Sequence, residues 1–101
     1  MPVELRAEAR DDLIAGALFY DRQRESLGSS FTECLFSDLE RLEIAAGVHE
    51  SVFGLHRKLS KRFPFAIYYL IAPPVIDVVA ILDCRRDPRL IEECLREMRR
   101  R

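Results

Sequence analysis

The stretch Arg62-Phe63-Pro64-Phe65-Ala66-Ile67-Tyr68-Tyr69 is followed by apolar residues as far as the pair Pro73-Pro74. From Phe65 to Ile71 both alternating faces are apolar, as in a central strand covered on two sides. Pro64 belongs at its start, because proline has no N–H to give a ladder inside a sheet. Pro73-Pro74 ends it. Two prolines do not suit the usual two-residue hairpin turn, so a wider loop is expected there. Val75 to Cys84 reads as the next strand, with Ile76, Val78, Ala80 and Leu82 on one face and Val75, Asp77, Val79, Ile81 and Asp83 on the other. Upstream, Phe53, Leu55 and Leu59 alternate with Val52, Gly54, His56 and Lys58, which predicts one strand with a single buried face. Lys61-Arg62 marks the turn after it.

Before residue 50 the period is helical. Val3 to Arg6 is a short strand. A helix is predicted from Glu8 to Glu25, with Ala9, Leu13, Ala17 and Tyr20 on one stripe and Ile14 and Leu18 beside it. Gly28 breaks the pattern. Ser30-Phe31-Thr32-Glu33 matches a capping box, which predicts the start of a second helix there. Its stripe is Phe31, Leu35, Leu39, Leu42 and Ala46, and Gly47 suits a left-handed stop. At the other end Asp87 is placed to cap a last helix with Pro88 in its first turn. Leu90, Ile91, Cys94, Leu95 and Met98 form that helix's apolar stripe, equally a core face or a partner surface. Glu92 and Glu93 precede Arg99-Arg100-Arg101, an order that suits the helix dipole.

These elements predict one α+β domain over residues 1–101, a small antiparallel sheet packed by an N-terminal helical hairpin in the order β-α-α-β-β-β-α. The other face of the sheet is expected to be partly open and to carry function. The length of 101 residues, 49% hydrophobic and 33% charged, fits a chain that buries one core without disulfides or metal. Cys34, Cys84 and Cys94 are scattered, which reads as reduced buried thiols of a cytoplasmic protein. The N-terminus lacks the apolar stretch of a signal peptide. The apolar run Phe63 to Ile76 is broken by prolines and falls short of the about 20 residues of a membrane helix. Net charge is −1, yet residues 1–50 carry five Arg/Lys against eleven Asp/Glu, and residues 51–101 eleven against six. That asymmetry fits an anionic partner for the basic half, or attraction between acidic helices and basic sheet.

For chemistry, His49 and His56 sit on different kinds of segment with no cysteine at zinc spacing, so no metal or other cofactor is expected. No nucleophile motif or glycine-rich phosphate loop is present. Basic residues cluster twice: Arg57, Lys58, Lys61 and Arg62, then Arg85, Arg86 and Arg89. If the last strands are antiparallel neighbours, Arg62 and Arg86 share one edge, where guanidiniums grip phosphates or carboxylates. Solvated strand ends, or pairing of Arg86 with Asp83 or Asp77, account for them equally well. Tyr68 and Tyr69 point to opposite faces, one under the helices and one on the open side. Cys84 is either a buried inert thiol or one whose pKa is depressed by its arginine neighbours.

The "RFPFAIYY" strand, the "CRRDP" that closes the following strand, and the helical hairpin together resemble the RelE/ParE superfamily of toxins from bacterial toxin–antitoxin modules, the ParE-like plasmid-stabilisation branch most closely. The resemblance covers nearly the whole chain and implies the same α+β fold. It implies a cognate antitoxin that wraps the toxin, and one of two activities. ParE-like toxins inhibit DNA gyrase by binding, without chemistry of their own; here the target-binding residues would be Arg62, Asp83, Arg85 and Arg86. RelE-like toxins cleave mRNA on the ribosome; here the catalytic set would be Arg57, Lys61, Arg62, Tyr69 and Arg86. Many relatives carry histidine where Asp83 stands, and the C-terminal His or Tyr of some RNA-cleaving relatives has no counterpart. A pI of about 6.1 speaks against approach to ribosomal RNA by charge. The gyrase-binding reading is therefore preferred, with a non-toxic, antitoxin-binding relative as a third alternative. A homodimer and a hetero-oligomer with the antitoxin both remain open.

Overall fold

A strand, β1 (Val3–Leu5), leads directly into two helices, α1 (Ala7–Gln23) and α2 (Leu27–Ala45). They come from a computed structural model, which describes residues 1–100. Four more strands follow, β2 (Ser51–Val52), β3 (Leu55–Leu59), β4 (Phe65–Ala72) and β5 (Val75–Asp83), and then α3 (Pro88–Arg99). The α+β class and the helical hairpin are as expected. The sheet has five strands in the order β1-β5-β4-β3-β2. It is mixed, because β1 lies parallel to β5 while the other pairs are antiparallel.

Three local expectations are corrected. The strand predicted across residues 52–59 is a hairpin. Phe53 and Gly54 both take positive φ, 53° and 81°, and reverse the chain between β2 and β3. Its apolar face fails accordingly: Leu55 is buried, but Phe53 and Leu59 are exposed. The loop at Pro73-Pro74 is tight, not wide: Ala72 pairs with Val75, and the Pro73–Pro74 bond is cis, the geometry of a type VI turn. The capping box does not form either. α2 begins at Leu27, so Ser30 lies inside the helix and its hydroxyl bonds to the Ser26 carbonyl. The cap comes from α1 instead: the Gly28 N–H donates to Asp21 Oδ1 at 2.8 Å, satisfying one of the donors that a helix start leaves open.

The alternation in β5 is also interrupted. Tyr68 faces Ala80 and Tyr69 faces Val78, so Val79 is an extra residue. Such a bulge shifts the facing of everything beyond it. Ile76, Val78 and Ile81 therefore pack under the helical hairpin, while Val79, Ala80 and Leu82 pack under α3.

Two apolar layers result. On one side Phe31, Leu35, Leu39 and Leu42 of α2, with Leu13 and Tyr20 of α1, close over Phe65, Ile67 and Tyr69. Tyr20, Phe31, Phe63 and Phe65 form an aromatic cluster; the Phe31–Phe65 centroids are 4.8 Å apart and edge-on, a favoured geometry. On the other side Leu95 and Met98 of α3 cover Leu55, Ala66, Tyr68 and Leu82. The face expected to be open is thus occupied by α3, which is a core helix. Asp87 accepts from the Arg89 N–H at 2.9 Å and Pro88 opens the helix, as the sequence indicates. Leu90 stays 58% exposed, outside the stripe assigned to it. Of the terminal arginine run, Arg101 lies outside the described residues. Among the described residues no helix is long and apolar enough to cross a membrane.

Candidate functional site

β4 starts where β5 ends. Phe65 pairs with Asp83, and the Cys84 N–H donates to the Pro64 carbonyl at 2.7 Å. The Lys61–Phe63 segment and the Cys84–Arg86 turn therefore lie side by side at one end of the sheet, and Arg62 and Arg86 share that rim. Asp83 builds the turn: its Oδ1 accepts from the Arg85 N–H at 2.8 Å, and Arg86 N–H donates to the Asp83 carbonyl at 3.2 Å. The Arg85 guanidinium then forks onto the same carboxylate, Nε to Oδ1 at 3.0 Å and Nη2 to Oδ2 at 2.7 Å. These bonds hold the Asp83 carboxyl below its usual range, with the Arg85 side chain as the largest cause. Arg85 also approaches the Phe19 ring, and Arg62 the Phe63 ring, at 6.0 and 5.9 Å.

Arg86 pairs with neither carboxylate suggested for it. Asp83 is taken by Arg85, and Asp77 by Arg6 at 2.8 Å. Among the described residues no ion pair engages Arg86 or Arg62. Arg86 acts through space on Asp83 and on Asp12, whose carboxylate accepts from the Ile81 N–H at 3.0 Å beyond the end of β1. Desolvation there raises the Asp12 carboxyl, with the Ile81 hydrogen bond and then Arg86 pulling against it.

The five residues of the cleavage reading do not converge. Arg62 and Arg86 are at the rim. Lys61 faces α2, lining with Arg62 a cleft of about 320 Å³ that also holds Glu33, Asp38 and Arg41. Arg57 lies in β3 opposite Tyr68 and pairs with Glu50, its Nε buried and without a hydrogen bond. Tyr69 is on the far face, fully buried. Its hydroxyl accepts from the Gly47 N–H at 2.9 Å and meets His49 Nδ1 at 2.6 Å. His56 stacks on its ring at 5.1 Å and contacts the His49 carbonyl through Nδ1 at 3.0 Å. Burial, then Lys58 and His56, depress the His49 pKa, which favours the uncharged ring as hydrogen-bond partner of the Tyr69 hydroxyl. Tyr69 thus secures the chain just after α2, a role the sequence did not signal because His49 sits outside any helical or strand period and His56 falls on the polar side of a strand alternation. Tyr68, assigned to an open face if Tyr69 packed under the helices, is buried beneath α3. Cys84 is exposed rather than buried, and crowding around its sulfur raises the thiol pKa rather than depressing it.

A separate surface lies on the hairpin. Ile14 and Leu18, placed beside the buried stripe of α1, are 59% and 53% exposed. With Phe36 of α2 and Val3 of β1 they line an apolar groove of about 750 Å³. Large exposed apolar patches of this kind mark interaction sites.

The order of elements, the hairpin over one face and the C-terminal helix over the other make an α+β fold that is shared with a solved structure. A chain of the "Chromosomal ParDE TA system from P. aeruginosa" matches it with a TM-score of 0.72 at 17% identity, over 80% of this chain and 92% of that one. No family model and no curated protein matches the sequence.

Proposed function

We propose that this chain is the toxin of a type II toxin–antitoxin module, of the ParE-like plasmid-stabilisation kind. It acts in the cytoplasm by binding and inhibiting DNA gyrase, and a cognate antitoxin neutralises it. The observation that carries this reading is the fold shared with a chain of a ParDE TA system. The rim supplies the chemistry of recognition. Arg62 and Arg86 stand unpaired beside an Arg85 already oriented by Asp83, and guanidinium forks bind carboxylates or phosphates bidentately. Ordering Arg85 in advance lowers the entropy lost on binding.

Binding is favoured over RNA cleavage by where the acid–base groups are. A general acid or base must reach its proton within a hydrogen bond. Both tyrosines are buried, and His49 and His56 are engaged around Tyr69. None stands at the rim. The apolar groove on the hairpin fits the antitoxin, whose amphipathic segment would seat apolar side chains against Ile14, Leu18 and Phe36.

Expression in a bacterial host tests the reading. Growth arrest, intact mRNA 5′ ends and rescue by the co-expressed antitoxin are expected. Leu18→Glu should weaken rescue while leaving arrest in place. Cleaved messages would replace gyrase binding with the RNase reading, and absence of arrest would leave only an antitoxin-binding relative.

A further inference from the structure

At the end of the sheet away from the rim, the β2–β3 turn meets the last turn of α3. β3 reaches the rim side at Leu59, opposite Ala66, and begins at Leu55 on the far side. α3 starts at the rim and its 12 residues span about 18 Å, which brings Arg99 onto Gly54. A Cβ at Gly54 would fall 2.5 Å from the Arg99 guanidinium, so glycine makes room for that cation. Phe53, Arg96, Arg99 and Arg100 line a cleft there of about 420 Å³. The Arg96 guanidinium sits 5.6 Å from the Phe53 ring centroid. Glu92 engages Arg96 at 2.8 Å and Glu97 approaches Arg100 at 3.9 Å, while no carboxylate among the described residues pairs with Arg99.

Helix polarity alone would explain cations at the end of α3. It does not explain Phe53. This residue holds φ of 53°, a region that glycine and asparagine occupy readily and a bulky side chain does not. Two-residue turns with positive φ at both positions prefer Asn-Gly. Nor does burial compensate, since Phe53 is 37% exposed. The fold thus keeps an aromatic ring at a backbone position that disfavours it, beside three guanidiniums.

We infer that this cleft binds a nucleotide unit, its phosphate gripped by Arg99 with Arg96 and Arg100, and its base stacked on Phe53. Guanidiniums match phosphate oxygens through paired charge-assisted hydrogen bonds, and an aromatic side chain offers the stacking platform that a base uses. The site lies at the opposite end of the sheet from the rim and does not depend on the gyrase reading. The nucleotide is either free or part of a single strand.

Calorimetric titration of the whole protein with sodium phosphate, adenosine 5′-monophosphate and a single-stranded oligoadenylate tests this, alongside thermal melts. The monophosphate should bind at least about tenfold more tightly than inorganic phosphate, a ratio that reports the stacked ring. Arg99→Ala should weaken all three probes by about tenfold or more. Phe53→Asn should melt no lower than the parent, keep its phosphate affinity and lose the preference for the nucleotide. An oligoadenylate bound more tightly than the monophosphate would identify a strand as the source, and equal binding a free nucleotide. The inference is overturned by no binding at millimolar probe, by equal affinity for phosphate and monophosphate, by unchanged monophosphate binding in either variant, or by a lowered melting temperature for Phe53→Asn.

Discussion

Gly28→Ala is the substitution whose cost the structure defines most sharply. A Cβ at this position would lie 2.4 Å from the Ala17 carbonyl oxygen and 2.6 Å from the Asp21 carboxylate. The first contact is backbone, so α1 and α2 must move apart. Overpacking of this kind costs about 1–3 kcal/mol. Separation also lengthens the 2.8 Å bond from the Gly28 N–H to Asp21, and a hydrogen bond to a charged group is worth about 1.5–3 kcal/mol. Alanine's better helix propensity returns about 0.5–1 kcal/mol. The net loss centres on about 3.5 kcal/mol, or about 14–28 °C in Tm for a domain of this size. Gly16→Ala is the comparison: its Cβ would meet the Phe31 ring at 2.7 Å, a side chain and not backbone but one fully buried among Tyr20, Phe63 and Phe65, so it should cost about 1–3 kcal/mol by overpacking alone. Thermal unfolding followed by circular dichroism measures both. A Gly28→Ala protein melting within about 2 °C of the parent would refute the argument that this contact sets the hairpin.

Three further outcomes are expected. Replacing Arg62 and Arg86 together with alanine should leave stability within about 0.5 kcal/mol, as for exposed positions, while abolishing growth arrest; a lost circular dichroism signal would instead make them structural. Tyr68→Ala should lower stability instead, because truncating a buried aromatic costs about 3–5 kcal/mol. Stability should fall as pH drops below 6.5. The folded protein holds His49 below that ordinary value, so the unfolded chain takes up its proton first and the loss continues through the lower folded pKa, at no more than about 1.4 kcal/mol per pH unit. Urea unfolding at pH 7.5 and 5.5 should show the decline, and His49→Gln should flatten it.

What the sequence shows well is set by short-range pattern. The two-sided apolar run of β4, the stripe of α2 from Phe31 to Leu42, the stop at Gly47 and the Asp87-Pro88 start each need only neighbouring residues. Antiparallel pairing then suffices to bring Arg62 and Arg86 to one end. What it misses depends on distant partners. Ser30 and Glu33 form a proper capping box on paper, but Asp21 reaches across from α1 and the helix, capped at Ser26, starts four residues earlier. The bulge at Val79 reverses the facing of half of β5 with no residue to announce it. Phe53 is a poor turn former, so the hairpin it opens has the pattern of a strand. Tyr69 looked like a catalytic candidate, and only the folded chain brings His49 and Gly47 to its hydroxyl. The groove at Ile14 and Leu18 escaped notice because a stripe of apolar residues reads as buried until the width of the covering layer is known.

The proposed function makes the rim of Arg62, Arg85 and Arg86 a surface for binding gyrase. DNA supercoiling by purified gyrase, titrated with this protein and with its Arg62→Ala/Arg86→Ala variant, tests it most directly. Inhibition at micromolar protein that disappears in the variant is predicted. Full supercoiling in the presence of the unaltered protein, or equal inhibition by both, would contradict it.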